Sequence, residues 1–270
     1  LAKGLSRSDK SDGYVAGWAA ATRLRSVLAA ARDGVPGDRL PAVISELDWL
    51  VGLLTPTREW VSCLGDGLAA AEAAHAGDED LARLRVAAEA RCSRARETAA
   101  ESLKGERMRG LLASLVACPD DPSMAMADGT SAGDEKQAAH ALDRQTRRVL
   151  RCGRPMPSLT DEEWRRLNVE VRTLHHLTSA FGSLFPAKRV ADYEECLGRV
   201  EPALDAWFAM DLARRLGDEA ASTARGRNVV RLHVAAGVVV GRARKGFEDQ
   251  RPVLSKAWTK LAAQAPFWVT

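Results

Sequence analysis

Aromatic residues are scarce in this chain, at 5% of 270 positions, and its 46% apolar content rests on Ala and Leu. That balance favours helix over strand and sets an all-α expectation. Cysteine is too sparse and too scattered to build with. Cys63, Cys92, Cys118, Cys152 and Cys196 are odd in number and form no C-x-x-C pair. A disulfide framework and a zinc cage are therefore not expected, and a reducing, cytoplasmic compartment is. There is no large excess of either charge: 39 Lys and Arg oppose 36 Asp and Glu, for a net +3. A chain so balanced has no global field to gather polyanions, so any anion site must come from local clustering. Sequence-specific nucleic-acid binding is not expected. No apolar run reaches the length of a membrane span; "VAAGVVVG" at Val234–Gly241 is far too short and lies between Arg231 and Arg242. The polar start, "LAKGLSRSDKSDG", reads as a frayed segment over residues 1–13 and not as a signal peptide. Motifs for catalysis are missing as well. There is no G-x-S-x-G, no P-loop, no H-E-x-x-H and no glycine-rich dinucleotide fingerprint, so neither an enzyme nor a cofactor is expected.

What the chain does have is helical periodicity, punctuated by Gly, Pro and Asp. Residues 14–31 could line one face with Trp18, Leu24 and Leu28. The next stripe runs through Val43, Leu47, Leu50 and Leu54. Thr55 followed by Pro56 predicts a fresh helix start, with Thr55 as N-cap and Pro56 at the first helical position. Charged helices follow over residues 79–117, and the stretch 119–135, "PDDPSMAMADGTSAGDE", reads as a flexible linker. Beyond it lies a strongly basic helix. Thr160 with Glu163 three residues later then predicts a capping box opening "WRRLNVEVRTLHHLTSAFGSLFP". The last portion, from Asn228 to Trp268, reads as two helices. Gly237 and Gly241 share a face of the first, where a neighbouring helix could approach closely. Trp18, Trp49, Trp60, Trp164 and Trp207 fall on apolar stripes and are expected as core or bundle contacts.

A shift of 150 residues aligns the chain with itself. Leu24 meets Leu174, Val27 meets Leu177, Val35-Pro36 meets Phe185-Pro186 and Arg39-Leu40 meets Arg189-Val190. Leu47, Leu50 and Leu54 meet Leu197, Val200 and Leu204. The register holds without a gap from Tyr14 with Trp164 to Ser62 with Leu212. It implies two similar helical units, placed at residues 14–118 and 136–270.

The patterns "TRLRSVL", "LPAVISELDWLVGLLTPTREW", "LTDEEWRRL", "SLFPAKRVADYEECL" and "LSKAWTKLAAQAPFW", in this order, resemble the CHAD family of conserved-histidine α-helical domains. The likeness runs from Tyr14 to Trp268. It implies two pseudo-symmetric four-helix bundles whose basic residues line a central groove, and binding of inorganic polyphosphate. The family signature in each half, H-x-x-R-x-x-x-[K/R]-[K/R]-L-R, is thinned here. Val15, Trp18 and Thr22 stand at signature positions of the first half, leaving Arg23 and Arg25. In the second half Arg165 stands at the histidine place, Asn168 and Thr173 replace cations, Arg172 is kept and His175 takes the final basic place. A later R-D pair is represented by Arg58-Glu59 in the first half and by Phe208-Ala209 in the second.

Phosphate recognition needs several cations on a rigid surface, because each phosphate is strongly hydrated. Arg165, Arg172 and His175, at i, i+7 and i+10, can share one side of a helix. Arg23, Arg25 and Arg58 would approach from the other copy, with Arg39 and Arg189 at the rim. The pair His175-His176 is no metal site by itself, since adjacent helical residues do not face one point. Two readings stand. One is a non-catalytic polyanion-binding module, for polyphosphate above all. The other is a degenerate CHAD-like scaffold serving as an accessory subunit of a protein complex, with an enzyme acting through a missing partner domain a distant third. Convergence of Arg23, Arg25, Arg58, Arg165 and Arg172 on one concave surface favours the first; internal pairing favours the second.

Overall fold

A computed structural model describes residues 10–32, 35, 37–118, 131–154, 156–222 and 225–269, and these form helices and turns with no strand among them. In chain order they are α1 (Lys10–Ala31), α2 (Arg39–Ser62), a π-helical turn Cys63–Leu68 leading into α3 (Ala69–Ala74), α4 (Glu79–Leu103) and α5 (Glu106–Ala117). Then come α6 (Ser131–Cys152), α7 (Asp161–Phe181), α8 (Ala187–Ala221) and α9 (Arg227–Ala263). No helix among the described residues is long and apolar enough to cross a membrane.

Several boundaries differ from the sequence reading. No helix starts at Pro56, because α2 runs through it to Ser62. Thr55 does not cap; its Oγ1 accepts the Trp18 indole N–H at 3.0 Å, and buried Leu54, Thr57 and Trp60 hold the helix on either side of the proline. The closing segment is one helix, α9, with Pro252 inside it. Residues 10–13 are already helical, and residues 1–9 lie outside the described residues. Of the expected linker, 119–130 also lies outside them, whereas 131–135 forms the first turn of α6.

The chain divides into two compact units, and they are not the consecutive halves. Unit 1 comprises the stretches Leu1–Trp18, Gly52–Leu103 and Ala203–Pro252; unit 2 comprises Ala19–Val51, Lys104–Pro202 and Val253–Thr270. The reason is helix length. Helix α9, at 37 residues, extends about 55 Å at 1.5 Å per residue, longer than one bundle needs, and α1, α2 and α8 are likewise divided between the units.

Unit 1 closes over stripes at helical spacing. Leu81, Leu84, Ala88 and Cys92 of α4 meet Leu212, Leu216 and Ala220 of α8 and Leu232, Ala235, Ala236 and Val239 of α9 around Trp60. The close approach expected at Gly237 and Gly241 lies elsewhere. Both are exposed with open space beside them, whereas a Cβ at Gly217 would sit 2.8 Å from the Ala236 Cβ. Their face of α9 is turned away from the core stripe.

Unit 2 buries Leu40, Val43, Leu47 and Leu50 of α2, Leu142 and Val149 of α6, Leu167, Val171, Leu174 and Leu177 of α7, and Tyr193, Leu197 and Val200 of α8. After α9 the chain folds back as an aromatic clasp. Phe267 meets Phe185 at 5.3 Å and Tyr193 at 5.4 Å, edge to face, and Trp268 meets Tyr193 at 5.3 Å. In α1, Leu24 and Leu28 are only half-buried; Ala21 and Ser26 are the deep positions of its unit 2 portion.

Candidate functional site

Helix α7 positions the site. The Thr160 side chain accepts the Glu163 backbone N–H at 3.3 Å and the Glu163 carboxylate accepts the Thr160 N–H at 2.7 Å, so the expected capping box is present. This fixes where the helix begins. With Leu167, Val171, Leu174 and Leu177 turned into the core, Arg172, His175, His176 and Ser179 occupy one flank and Val169, Glu170 and Thr173 the other. Within unit 2 each flank borders a cavity shared with α1.

The first cavity, of about 440 Å³, is lined by Ala19, Ala20 and Arg23 of α1, by Arg172, His175, His176 and Ser179 of α7 and by Glu201 of α8. The two alanines leave the room that larger side chains would fill. Arg23 donates to Ser179 Oγ at 2.9 Å, and Arg172 Nε donates to Asn168 Oδ1 at 3.0 Å. His175 Nδ1 lies 2.7 Å from Glu201 Oε1, a carboxylate partner that only the fold supplies. The adjoining Glu201 carboxylate holds the His175 imidazole above its ordinary pKa. His176 goes the other way: burial, then the neighbouring His175 and arginines, push it down to about 4, so it is neutral at physiological pH. Its Nδ1 faces Ser26 Oγ at 3.3 Å, a contact between positions one repeat apart.

The second cavity, of about 400 Å³, is the more basic. Arg25 and Arg32 from the end of α1 and Arg144 and Arg148 from α6 line it, together with Ser26, Ile44, Gln145, Glu170 and Thr173. Among the described residues Glu170 is its only lining carboxylate, and it accepts the Gln145 amide at 2.7 Å. Arg144 is braced by the Ala30 carbonyl at 3.2 Å, and Arg25 pairs with Asp48 of α2.

The expected site residues of unit 2 therefore do not share one cavity. Arg23, Arg172 and His175 come together in the first cavity. Arg25 is in the second, because two residues along a helix turn a side chain by about 200°. Arg39, Arg165 and Arg189 line neither; Arg189 donates to the Val269 carbonyl at 3.2 Å. Arg58 belongs to unit 1, where its guanidinium lies 4.4 Å from the Trp18 ring and 4.9 Å from the Phe208 ring. Trp18 and Trp49 are half-buried, Trp18 bonded to Thr55 of the neighbouring helix and Trp49 carrying the Arg107 guanidinium at 4.5 Å; Trp60, Trp164 and Trp207 are buried. Sequence reasoning missed Arg32, Arg144, Arg148 and Glu201. The spacing of Arg144 and Arg148, at i and i+4 on one face of the basic helix, was the available signal. Among the described residues no group of three His, Cys, Asp or Glu could hold a metal ion.

Comparison with known proteins adds to this geometry. A family model described as CHAD domain matches residues 3–218. The crystal structure of the CHAD domain from the plant Ricinus communis is similar over 98% of this chain and 86% of its own, with a TM-score of 0.76 and 18% identity. PptA from Streptomyces chartreusis is similar over 93% of this chain and 90% of its own, with a TM-score of 0.68 and 16% identity. These identities speak to the fold. No curated protein matches the chain.

Proposed function

The chain belongs to the CHAD domain family, and from that premise we propose that it binds inorganic polyphosphate, or a similarly spaced polyanion, without acting on it chemically. The observation that carries this reading is the meeting of Arg25, Arg32, Arg144 and Arg148 from two segments around one cavity, where Glu170 is the one lining carboxylate among the described residues. Planar guanidiniums match phosphate oxygens two at a time, and rigid helices hold them without an ordering cost on binding. Multivalent contact of this kind releases counterions, so affinity falls steeply with salt.

Titration with long-chain polyphosphate at two salt concentrations tests the reading. Binding is expected at low salt and weakens at high salt. The double variant R32E/R148E, at two exposed positions, lowers affinity and reduces the salt slope by about two. Absence of binding at low salt would sink the proposal.

The scaffold reading draws support from the Arg25–Asp48 pair and the separation of Arg23 from Arg25 in unit 2, and from unit 1. There Arg58 lies against two aromatic rings, and Arg215 reaches Glu59 at 3.0 Å and Asp211 at 3.2 Å, so these guanidiniums are engaged within the unit. Unit 1 contributes support in this account, and unit 2 contributes the binding.

A further inference from the structure

Both cavities of unit 2 carry arginine, but only the first carries histidine. Resting on the polyanion reading above, we propose that the Arg23–Arg172–His175 cavity is a proton-gated subsite for a phosphoryl group, in which Glu201 is the positioning residue that holds His175 as the third cation. The final basic place of the signature is occupied here by a histidine, and the chain supplies it with a carboxylate from another helix, 2.7 Å from Nδ1. An imidazole so held keeps its second nitrogen, Nε2, as the donor on the opposite edge of the ring. The two arginines of the cavity are each directed by a side-chain acceptor, Ser179 for Arg23 and Asn168 for Arg172. Three donors from two helices thus border one space of about 440 Å³.

The charges around His175 decide the direction of the gate. Glu201 and Glu194 of α8 favour its protonated form, while Arg172 of its own helix opposes it. His176, the other imidazole of the cavity, stays neutral above about 4 and adds no charge that changes near neutrality. Arg23 of α1 acts on His176 in the same sense as burial. Because the Glu201 carboxylate beside it raises the His175 pKa, the cavity carries its extra positive charge below that raised value. The charge is lost as pH rises through it, and anion binding weakens in the same direction.

The test is titration of the full chain with long-chain polyphosphate at fixed low salt, from about pH 6 to about pH 8, where imidazoles titrate. Wild type is compared with H175R, which keeps a cation at every pH and so reports the ligand's own titration. Wild type is expected to weaken about five- to tenfold relative to H175R across this range, the size of one charged contact at a half-exposed site. E201Q is expected to move the midpoint to lower pH while its thermal melt still shows a folded protein. Wild type and H175R giving the same profile would overturn the gate and leave the polyanion reading standing. A midpoint unmoved in E201Q would remove Glu201 from the role. Loss of all binding at low salt would overturn the premise itself.

Discussion

Positions 18 and 168, matched by the 150-residue shift, show what became of the cations that the resembled signature places there. Each now holds a neighbouring arginine: Arg58 stacks on Trp18, and Arg172 donates to buried Asn168. Both side chains steer a neighbouring arginine, and the result differs by unit. Arg172 is directed along the edge of a cavity, whereas Arg58 is covered by a second ring, Phe208, from its own repeat-equivalent position. None of this was legible in the sequence, because a Trp and an Asn at signature positions read only as losses. Another residue-scale contact is more stringent. A Cβ at Gly153, just past the end of α6, would overlap the Trp258 indole. Gly153→Ala should therefore destabilise by about 1–3 kcal/mol, the usual cost of overpacking, read from denaturant unfolding against wild type.

At the scale of the element, the sequence was clearest where a local signal and the core agreed. Helix α7 begins where its capping box predicts and buries the stripe its spacing predicts. Proline misled, because it is a local signal that the core can override. Pro56, Pro202 and Pro252 all lie inside helices, each removing one backbone hydrogen bond while flanking apolar residues keep the helix in place. Replacing Pro56 with Ala restores a donor toward Gly52 at an exposed position. A stabilisation of about 1–2 kcal/mol is expected, less than the full cost of an interior proline because the unfolded chain also gains freedom. A lower midpoint in a urea melt would refute it. The glycine pair of α9 failed for a related reason. Periodicity places Gly237 and Gly241 on one face but says nothing about whether that face meets anything, and it meets open space.

At the scale of the whole molecule, the 150-residue shift acquires a different meaning from the one that consecutive halves gave it. Moving Gly52–Leu103 by 150 gives 202–253, within a residue at each end of Ala203–Pro252 in the same unit. These two stretches of unit 1 are thus related by the shift, and positions 150 apart touch in each unit: Arg58 with Phe208 in unit 1, Ser26 with His176 in unit 2. If unit 2 alone binds the anion, weakening the core of unit 1 should spare binding. Leu216→Ala, at a buried position of that core, is expected to cost about 2–4 kcal/mol of stability. Its polyphosphate affinity and salt slope should match wild type at temperatures where circular dichroism shows both folded; a changed slope would place part of the site in unit 1.

By itself the sequence determined the helical class, the family, the start of α7 and the presence of arginines and a histidine on that helix. Those features depend on neighbours a few residues apart, which periodicity and capping report directly. Only the tertiary structure decided which stretches of the chain share a core, that Arg23 and Arg25 line different cavities, that Arg58 lies against two aromatic rings, and that Glu201 stands beside His175. Each of these depends on contact between residues far apart in the chain, and a helix face carries no mark of the partner that will cover it.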